Sequence, residues 1–216
     1  MSFKLGNTNI GELYVGSNKI AKAYLGSNLV YQTTTPPGPG PEPEPVILPA
    51  YTIRCKFKSG YTPTMGNTQT LVDSTNNVWD IYEDNYWNGL FDGNSNLLQV
   101  LGANPENIWD LGTIFRYCNS LTYVVAFDTS NVQRMVEMFR GCSSLIKVPL
   151  LNTSIVFDMS YMFLDCTNVQ SGSLALYQQA SSQTTPPIYH DRVFTNCGSN
   201  TTTGAAELAQ IPDSWK

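Results

Sequence analysis

Hydrophobic and polar positions along residues 50–216 recur with a period of 24. The copies "IFRYC", "MFRGC" and "MFLDC" place Phe115, Phe139 and Phe163 one step apart. One step back lies Phe91, and a fainter copy, "VFTNC", carries Phe194 after a seven-residue insertion. Self-similarity of this kind predicts a fold in which each repeat stacks on the next.

Each repeat predicts a short strand after its cysteine. Leu145 lies three positions past Cys142, Val148 follows, and Leu150 comes two positions later. This L-x-x-L-x-L spacing is typical of a leucine-rich repeat, whose strand turns alternate residues into a shared core. The matching residues elsewhere are Leu97, Val100 and Gly102; Leu121, Val124 and Ala126; and Val169.

The other half of each repeat has helical spacing. Val132, Met135, Met138 and Phe139 fall at i, i+3, i+6 and i+7, one stripe of a helical turn or two. Residues that can cap or turn the chain precede this half: Asn104, Asp128 and Asn152. We therefore predict an α/β repeat fold, a short leucine-rich-repeat solenoid of about four repeats.

Flanking segments are predicted to cover both ends of this solenoid. The stretch "YTIRCKFKSG", residues 51–60, alternates between apolar and polar residues, which predicts a strand. We expect this strand to pair with residues 68–73 as a β N-terminal cap. The insertion 171–187 and the tail 204–216 predict a small helix or two as a C-terminal cap.

The opening segment has its own repeat, with a period of ten: "LGNTNI", "VGSNKI" and "LGSNLV". Apolar residues around Gly and Asn are typical of short strands joined by tight turns. Domains below roughly 40 residues usually need disulfides, metals or a partner. Residues 1–32 are therefore predicted to be a small all-β segment for docking or oligomerisation. Its apolar contact residues would be Leu5, Ile10, Tyr14, Val15, Ile20, Tyr24, Leu25 and Val30.

Proline-rich sequence separates these two regions. In "QTTTPPGPGPEPEPVILP" proline favours polyproline II and removes backbone donors, which makes a semi-rigid spacer. The predicted organisation is a docking segment over 1–32, a linker over 33–48 and a capped repeat domain over 49–216.

Composition narrows the classes of function. Charged residues make up 13% of the chain and aromatic residues 12%, which fits a soluble globular protein. The net charge of −5 argues against a nucleic-acid or anionic-membrane surface. No apolar run approaches the roughly 18 residues of a membrane helix, so no membrane insertion is expected. The opening residues lack the pattern of a secretory signal, so we expect a chain kept in a cytoplasm or released inside a particle.

The cysteines and the lone histidine are candidates for a metal site, a disulfide or a catalytic group. Four of the five cysteines end an F-x-x-C copy, which predicts buried structural thiols; a disulfide between repeats and a zinc site are the alternatives. These cysteines are Cys118, Cys142, Cys166 and Cys197. His190, beside Asp191, is predicted to be solvated, since no nucleophile stands in a suitable motif. We predict no metal and no cofactor.

Acidic residues cluster at Asp80, Glu83, Asp84 and Asp92. A glycosidase pair is the catalytic alternative, but a solvated cap is favoured because a stacked repeat offers no evident cleft. The chain is therefore predicted not to be an enzyme. Opposite charges at one repeat position predict a surface charge ladder of Asp110, Arg134 and Asp158.

The predicted strand face is the best candidate for binding. Repeat proteins bind ligands along such strips, and exposed Tyr is a frequent contact residue. Cover by neighbouring subunits or by the caps is the alternative. The strand-face residues predicted to point away from the core are Gln99, Leu101, Tyr123, Val125, Lys147 and Pro149.

The stretch "FDTSNVQRMVEMFRGCSSLIKVPLLNTSIVFDMSYMFLDC" resembles BspA-type leucine-rich repeats, over roughly residues 76–200. The usual unit there is close to F-D-T-S-N-V-x-x-M-x-x-M-F-x-x-C-x-S-L, and residues 127–145 match it nearly throughout. The later copy departs at Ile155 and Val156, where Asn-Val is expected. The resemblance implies the repeat fold and, in bacteria, an adhesive role at the cell surface.

The opening "IGELYVGSNKIAKAYLGSNLVYQ" resembles N-terminal segments of phage virion proteins from gut bacteria. Together the two resemblances imply a virion appendage of the head-fibre or tail-fibre kind, assembled in the host cytoplasm. Its expected partners are other virion structural proteins, copies of itself as a homotrimer, and a host cell-surface glycan or protein. The alternatives are a purely structural virion decoration protein and a bacterial surface adhesin.

Overall fold

The computed structural model describes residues 48–84 and 86–216 in full and, before them, the backbone of four short strands. The chain divides into two parts, Met1–Glu44 and Pro45–Lys216, and each is described by itself. The predicted linker lies outside the described residues, apart from Leu48.

The first part contains two antiparallel hairpins. Their strands are β1 (Tyr14–Val15), β2 (Asn18–Lys19), β3 (Lys22–Leu25) and β4 (Asn28–Gln32). β1 pairs with β2, and β3 with β4. A Gly-Ser pair separates the strands of each hairpin, a sequence that suits tight hairpin connections. The prediction of short strands repeating every ten residues is confirmed for this stretch.

The second part begins with a five-stranded mixed sheet. Its strands are β5 (Thr52–Phe57), β6 (Thr68–Asp73), β7 (Val78–Tyr82), β8 (Leu97–Asn104) and β9 (Tyr123–Val124). The strand order is β6-β7-β5-β8-β9, and only the β8–β9 pair is parallel. The alternating pattern of β5 is confirmed from Ile53 to Phe57, since Ile53, Cys55 and Phe57 are buried, whereas Thr52, expected on the polar face, is buried as well.

The predicted pairing of β5 with residues 68–73 is wrong, because β7 lies between β5 and β6. The cause is a tight connection after β6, where the Asp73 carboxylate accepts hydrogen bonds from the N–H groups of Thr75 and Asn76 at 2.8 and 3.2 Å. That connection returns the chain at once, so β6 forms a hairpin with β7 and leaves β5 to pair with β7 and β8.

Beyond the sheet, successive repeats are hydrogen-bonded in register; each repeat is called a rung below. Parallel bridges join Asp110 to Arg134, Arg134 to Asp158, and Asp158 to Tyr189. Alternate N–H groups of one rung donate to the next rung, as from Phe115 to the Met138 carbonyl at 3.1 Å. The same pattern joins residues 135–141 to residues 158–164. The 24-residue period is therefore a physical spacing between rungs.

The predicted helical half of each rung is wrong, because residues 132–142 form consecutive tight turns. N–H groups in this stretch bond three residues back, from Met138 to Met135 and from Cys142 to Phe139. Positive φ angles at Glu137 (55°) and Gly141 (71°) cannot occur in an α-helix. Turns that step by three bury every third residue, which is why the i, i+3 spacing resembled a helix.

The core is built around stacked phenylalanines. This inner stack consists of Phe91, Phe115, Phe139, Phe163 and Phe194, with successive ring centroids 5.7, 5.4, 5.1 and 5.9 Å apart. All five rings are buried. Phe57 at one end and Trp215 at the other continue the stack, each at 6.4 Å. Sheet, rungs and C-terminal segment therefore share one core.

The strands of successive rungs become shorter along the chain. One repeat position that was predicted to lie in the core, that of Ala126 and Leu150, is therefore wrong. β8 has eight residues and β9 has two. Lys147 makes only an isolated bridge, to Ser171. Ala126 and Leu150, predicted to point into the core, are exposed. Pro149 has no N–H to donate, so the strand cannot continue past it.

Two helices close the C-terminal end, as predicted for these segments. α1 (Ser173–Ser181) lies in the insertion and α2 (Thr202–Leu208) overlaps the tail, followed by a short 3-10 helix (Asp213–Trp215). The Glu207 carboxylate of α2 accepts hydrogen bonds from the N–H groups of Gly172 and Leu174, at 3.3 and 3.1 Å. It thereby satisfies orphan donors at the start of α1.

Candidate functional site

The predicted strand face lies on the ladder formed by β8, β9 and the Lys147 bridge. Gln99 is in register with Tyr123, and Lys147 with Ser171. The ladder is continuous, since Thr122 N–H donates to Leu98 and Ile146 N–H donates to Thr122, at 2.9 and 3.2 Å. The structure therefore brings Gln99, Tyr123 and Lys147 onto successive rungs, where all three are half-buried.

The other three strand-face residues differ in exposure. Leu101 is half-buried, whereas Val125 and Pro149 are buried. Val125 N–H makes the last bond to the ladder, to the Val100 carbonyl at 3.0 Å, and the chain then leaves the strand path. Regular alternation, on which the outward placement depended, ends there. The accessible part of the strand face is Gln99, Leu101, Tyr123 and Lys147.

A pocket opens where the chain leaves this ladder. β9 ends at Val124 while β8 continues to Asn104, and the gap holds about 290 Å³. Its walls are residues 101–103 of β8 and residues 125–128. Leu101 and Val125 of the strand face thus line the pocket, with the Asp128 carboxylate as its charged group.

A second pocket of about 190 Å³ also includes Asp128. The Asp128 carboxylate accepts a hydrogen bond from the Ser130 N–H at 2.9 Å, which fixes it between the two pockets. The Asn131 side chain donates to the Glu106 carbonyl at 2.7 Å and ties the walls together. The Asp128 carboxylate thus offers a hydrogen-bond acceptor beside the apolar walls of the first pocket, a combination that binds ligands or partner side chains.

The cysteines are structural thiols held in the core. All five are reduced and buried. The Sγ atoms of Cys118, Cys142 and Cys166 each donate to the phenylalanine carbonyl of the preceding rung at 3.0 Å. Burial raises the pKa of Cys118 and of Cys197 to about 12. Such thiols are inert at neutral pH, since the thiolate is the reactive form.

His190 and the acidic cluster make structural contacts. The imidazole ring of His190 stacks on Trp215 at 4.3 Å. Asp80 accepts two hydrogen bonds from Arg54, at 2.7 and 2.8 Å, and Asp92 accepts two from Arg116, at 3.0 and 2.5 Å. Two of the four clustered carboxylates are therefore engaged by different arginines.

The predicted charge ladder is formed in part. Asp110, Arg134 and Asp158 are bridged in register, and Arg134 pairs with Asp110 at 3.1 Å. The Asp158 carboxylate instead accepts the Ser160 N–H at 3.0 Å.

Within residues 48–84 and 86–216 and the four N-terminal strands, no group of three or more His, Cys, Asp or Glu residues could hold a metal ion. No helix in the same residues is long and apolar enough to cross a membrane.

Five of the eight predicted docking residues lie on the described N-terminal strands. Tyr14 and Val15 lie on β1, Tyr24 and Leu25 on β3, and Val30 on β4. The remaining three, Leu5, Ile10 and Ile20, lie outside the described residues.

One surface feature was missed in the sequence. Trp109, Gln133, Phe157 and Ile188 form an outer column, one residue per rung, and all four are exposed. Backbone bonds join them in series at 2.8, 2.9 and 3.0 Å, each N–H donating to the carbonyl of the preceding member. The 24-residue step from Trp109 to Gln133 and Phe157 could have revealed the column, had it been applied to outward positions as well as to core positions.

A family model described as "Mycoplasma protein of unknown function, DUF285" matches residues 85–185. The match covers the rungs of Phe91, Phe115, Phe139 and Phe163 but ends before the rung of Phe194, and it is compatible with a BspA-like repeat protein. Neither the comparison with curated proteins nor the comparison with solved structures gave a match.

Proposed function

We propose that this chain is a phage virion appendage of the head-fibre or tail-fibre type. Residues 1–32 dock on the particle, residues 33–48 act as a spacer, and residues 49–216 are displayed for binding to the host cell surface. The displayed part is a short BspA-like leucine-rich-repeat solenoid with a β N-terminal cap. The protein resides in the virion, and three copies associate through the docking segment.

The contacts between rungs support the solenoid. Parallel bridges, the inner stack and the Cys-to-carbonyl bonds all repeat with the same period, and each rung bonds to its immediate neighbours. Nearest-neighbour stacking of this kind defines a solenoid. β5, β7 and β8 would then cover the open N-terminal end, with Phe57 packed on Phe91.

The observation that carries the proposal is the division of the chain between Glu44 and Pro45, inside the proline-rich stretch. On one side stand two short hairpins, and on the other a part with a continuous buried core. A segment as short as the first needs a partner for burial. A particle surface or symmetry-related copies would supply that partner, as the resemblance of residues 10–32 to virion segments suggests.

The groups present in residues 49–216 fit non-covalent binding through exposed side chains. Its thiols are buried, its histidine is stacked on Trp215, and the pocket lined by residues 101–103 and 125–128 offers apolar walls beside the Asp128 carboxylate. The half-buried Gln99, Tyr123 and Lys147, together with the Leu101–Asp128 pocket, are the contact residues we propose.

Particle association tests this function. Particles purified from a phage whose genome encodes the chain should carry it, and a deletion of residues 1–32 should leave the repeat part folded but absent from particles. An antibody against residues 49–216 should label intact particles and block adsorption to host cells.

Each alternative has its own outcome in that experiment. Particle association without antibody access would favour the structural decoration protein. Detection on bacterial cells in cultures free of particles would favour the surface adhesin, and would contradict the proposal.

A further inference from the structure

The outer column (Trp109, Gln133, Phe157 and Ile188) exposes large apolar side chains that the fold does not use. Trp109 is 54% exposed, Phe157 38% and Ile188 73%. Tyr189, next to Ile188, is 55% exposed. Isolated exposed apolar residues are ordinary, but contiguous ones mark interaction sites. Their backbones are bonded in series, so Phe157 and Ile188 lie on neighbouring rungs and Gln133 lies between Trp109 and Phe157.

Within the described residues, the column's aromatic rings have no aromatic partner. The rings of Trp109 and Phe157 take part in none of the ring contacts that hold the inner stack together. The Trp109 indole N–H makes no hydrogen bond in that part of the chain, whereas those of Trp79 and Trp87 do. Ring faces and an indole donor are therefore available to a ligand.

Polar side chains flank the column on the same rungs. Asp110, Arg134 and Asp158 each follow a column residue directly, and Tyr189 follows Ile188. Carboxylate, guanidinium and phenol groups thus follow the column residues in the chain, and the column itself contains the Gln133 amide. Sugars need this combination, since the C–H faces of a pyranose ring pack on aromatic rings while its hydroxyls hydrogen-bond to planar polar groups.

The spacing suits an extended chain of sugars. Neighbouring strands in a sheet lie about 4.8 Å apart, so Trp109 and Ile188, three rungs apart, are separated by about 15 Å. A linear oligosaccharide lying along the column would meet a new side chain about every 5 Å, close to the length of one ring in an extended glycan.

Charge selects the kind of glycan. Arg134 is already paired with Asp110 at 3.1 Å, and Asp158 adds a further negative charge. The whole chain also carries a net charge of −5. Sialylated or phosphate-bearing polymers would be repelled by this surface, whereas a neutral glycan would not.

We propose that the outer column is a binding site for a linear, neutral glycan whose pyranose rings stack on Trp109 and Phe157. The site is distinct from the strand face, and it does not depend on attachment of the chain to a virion. If the chain does act at a host surface, the column names the chemical class of one receptor.

Titration calorimetry of the full chain with cellotetraose, chitotetraose and mannotetraose tests the proposal. At least one of them should bind, and Trp109→Ala should weaken that binding about tenfold or more, as aromatic contact residues commonly do. Trp109→Phe should retain most of the affinity. Ile188→Ala, at the most exposed position of the column, should weaken binding without affecting the fold.

The matched control is Leu71→Ala, an exposed apolar residue on the edge strand β6, which should leave binding unchanged. Failure of all three tetrasaccharides to bind would overturn the proposal, as would binding of a sialic-acid oligomer alone. Sedimentation velocity supplies another arm: a change of oligomeric state in Trp109→Ala would identify the column as a contact between copies, and would also overturn it.

The strand-face variant Tyr123→Ala separates this inference from the proposed function. If Tyr123→Ala abolishes glycan binding and Trp109→Ala does not, the column proposal fails while host-surface binding stands. If the column binds glycan but the protein is absent from particles, the column proposal stands and the virion assignment fails.

Discussion

The inner stack and the outer column are two rows of side chains built on the same 24-residue period. The inner stack places a phenylalanine at every step, with rings 5.1 to 5.9 Å apart and fully buried. The outer column varies from tryptophan to glutamine to phenylalanine to isoleucine, and all of these residues are exposed. Stacking of rungs constrains the first row and leaves the second available for recognition.

This difference predicts where sequence changes should be tolerated. Each ring of the inner stack contacts the rings of both neighbouring rungs, so replacing one ring removes packing contacts from two others. An outer residue makes its regular contacts through its backbone, which any residue except proline can supply. The side chains of the outer column can therefore change without changing the contacts that hold the fold together.

Removing a ring of the inner stack should have the largest effect on the free energy of unfolding. Phe139→Ala in the middle of the stack should lower the free energy of unfolding by about 3–5 kcal/mol, through lost burial and the cavity left behind. Urea denaturation followed by circular dichroism measures the loss. Phe139→Leu keeps much of the volume and should cost less, whereas equal losses in the two variants would contradict ring stacking as the cause.

Gly141→Ala should come next. Gly141 has φ +71°, and a Cβ there would lie 2.9 Å from the Tyr117 ring atom Cε1. Left-handed backbone costs a residue with a Cβ about 1–2 kcal/mol, and the contact adds to that cost. Denaturation of the single variant and of Gly141→Ala with Tyr117→Ala separates the two terms. The double variant should relieve the contact but retain the backbone cost; a neutral single variant would contradict both.

The thiol-to-carbonyl bonds should have a smaller effect. Cys142→Ala removes the thiol donor to the Phe115 carbonyl, which should cost about 0.5–1.5 kcal/mol, because that carbonyl still accepts the Cys118 N–H at 3.1 Å. Cys142→Ser keeps a donor and serves as the control. A loss as large in Cys142→Ser would show that volume, not the hydrogen bond, matters at this position.

The Cys142 thiol is also predicted to make the free energy of unfolding depend on pH. Burial, with a smaller effect of Cys118, raises the pKa of Cys142 well above its ordinary value of 9.0. Above that pH the unfolded chain loses the thiol proton while the folded chain keeps it, so this contribution to stability is complete below pH 9 and is lost as the pH rises. Unfolding measured from pH 8 to 10.5 should show a shallower decline in Cys142→Ala than in the unchanged protein.

The smallest effect is expected in the outer column. Gln133→Ala should change the free energy of unfolding by less than about 0.5 kcal/mol, because exposed side chains away from special contacts rarely contribute more. Gln133→Pro is the opposite case, since it removes the backbone N–H that donates to the Trp109 carbonyl at 2.8 Å. A costly Gln133→Ala would show that the column supports the fold.

Sequence patterns anticipated the inner stack but not the path of the chain around it. Phe115, Phe139 and Cys142 were recognisable because a stacked core demands the same residue at every step. The turns between them were taken for a helix, because burial of Val132, Met135 and Met138 satisfies either geometry. A positive φ angle distinguishes the turns from a helix. Glu137 and Tyr161 have positive φ angles, but these residue types do not predict them.

The candidate site was anticipated less well than the core. Strict alternation along a strand predicted that Val125 and Pro149 point outward, yet the ladder ends before alternation can continue. The Leu101–Asp128 pocket arises from that ending, which depends on where backbone bonds stop. The outer column was missed because its members differ in type, so only the period connects them.

Two phenylalanines of one rung test the central claim directly. Phe157 in the outer column and Phe163 in the inner stack are six positions apart, and both can be changed to alanine in the full chain. Phe163→Ala should destabilise the protein by about 3–5 kcal/mol, and Phe157→Ala by about 1 kcal/mol or less. Comparable losses in free energy of unfolding from the two variants would contradict the division between a row that holds the fold and a row available for binding.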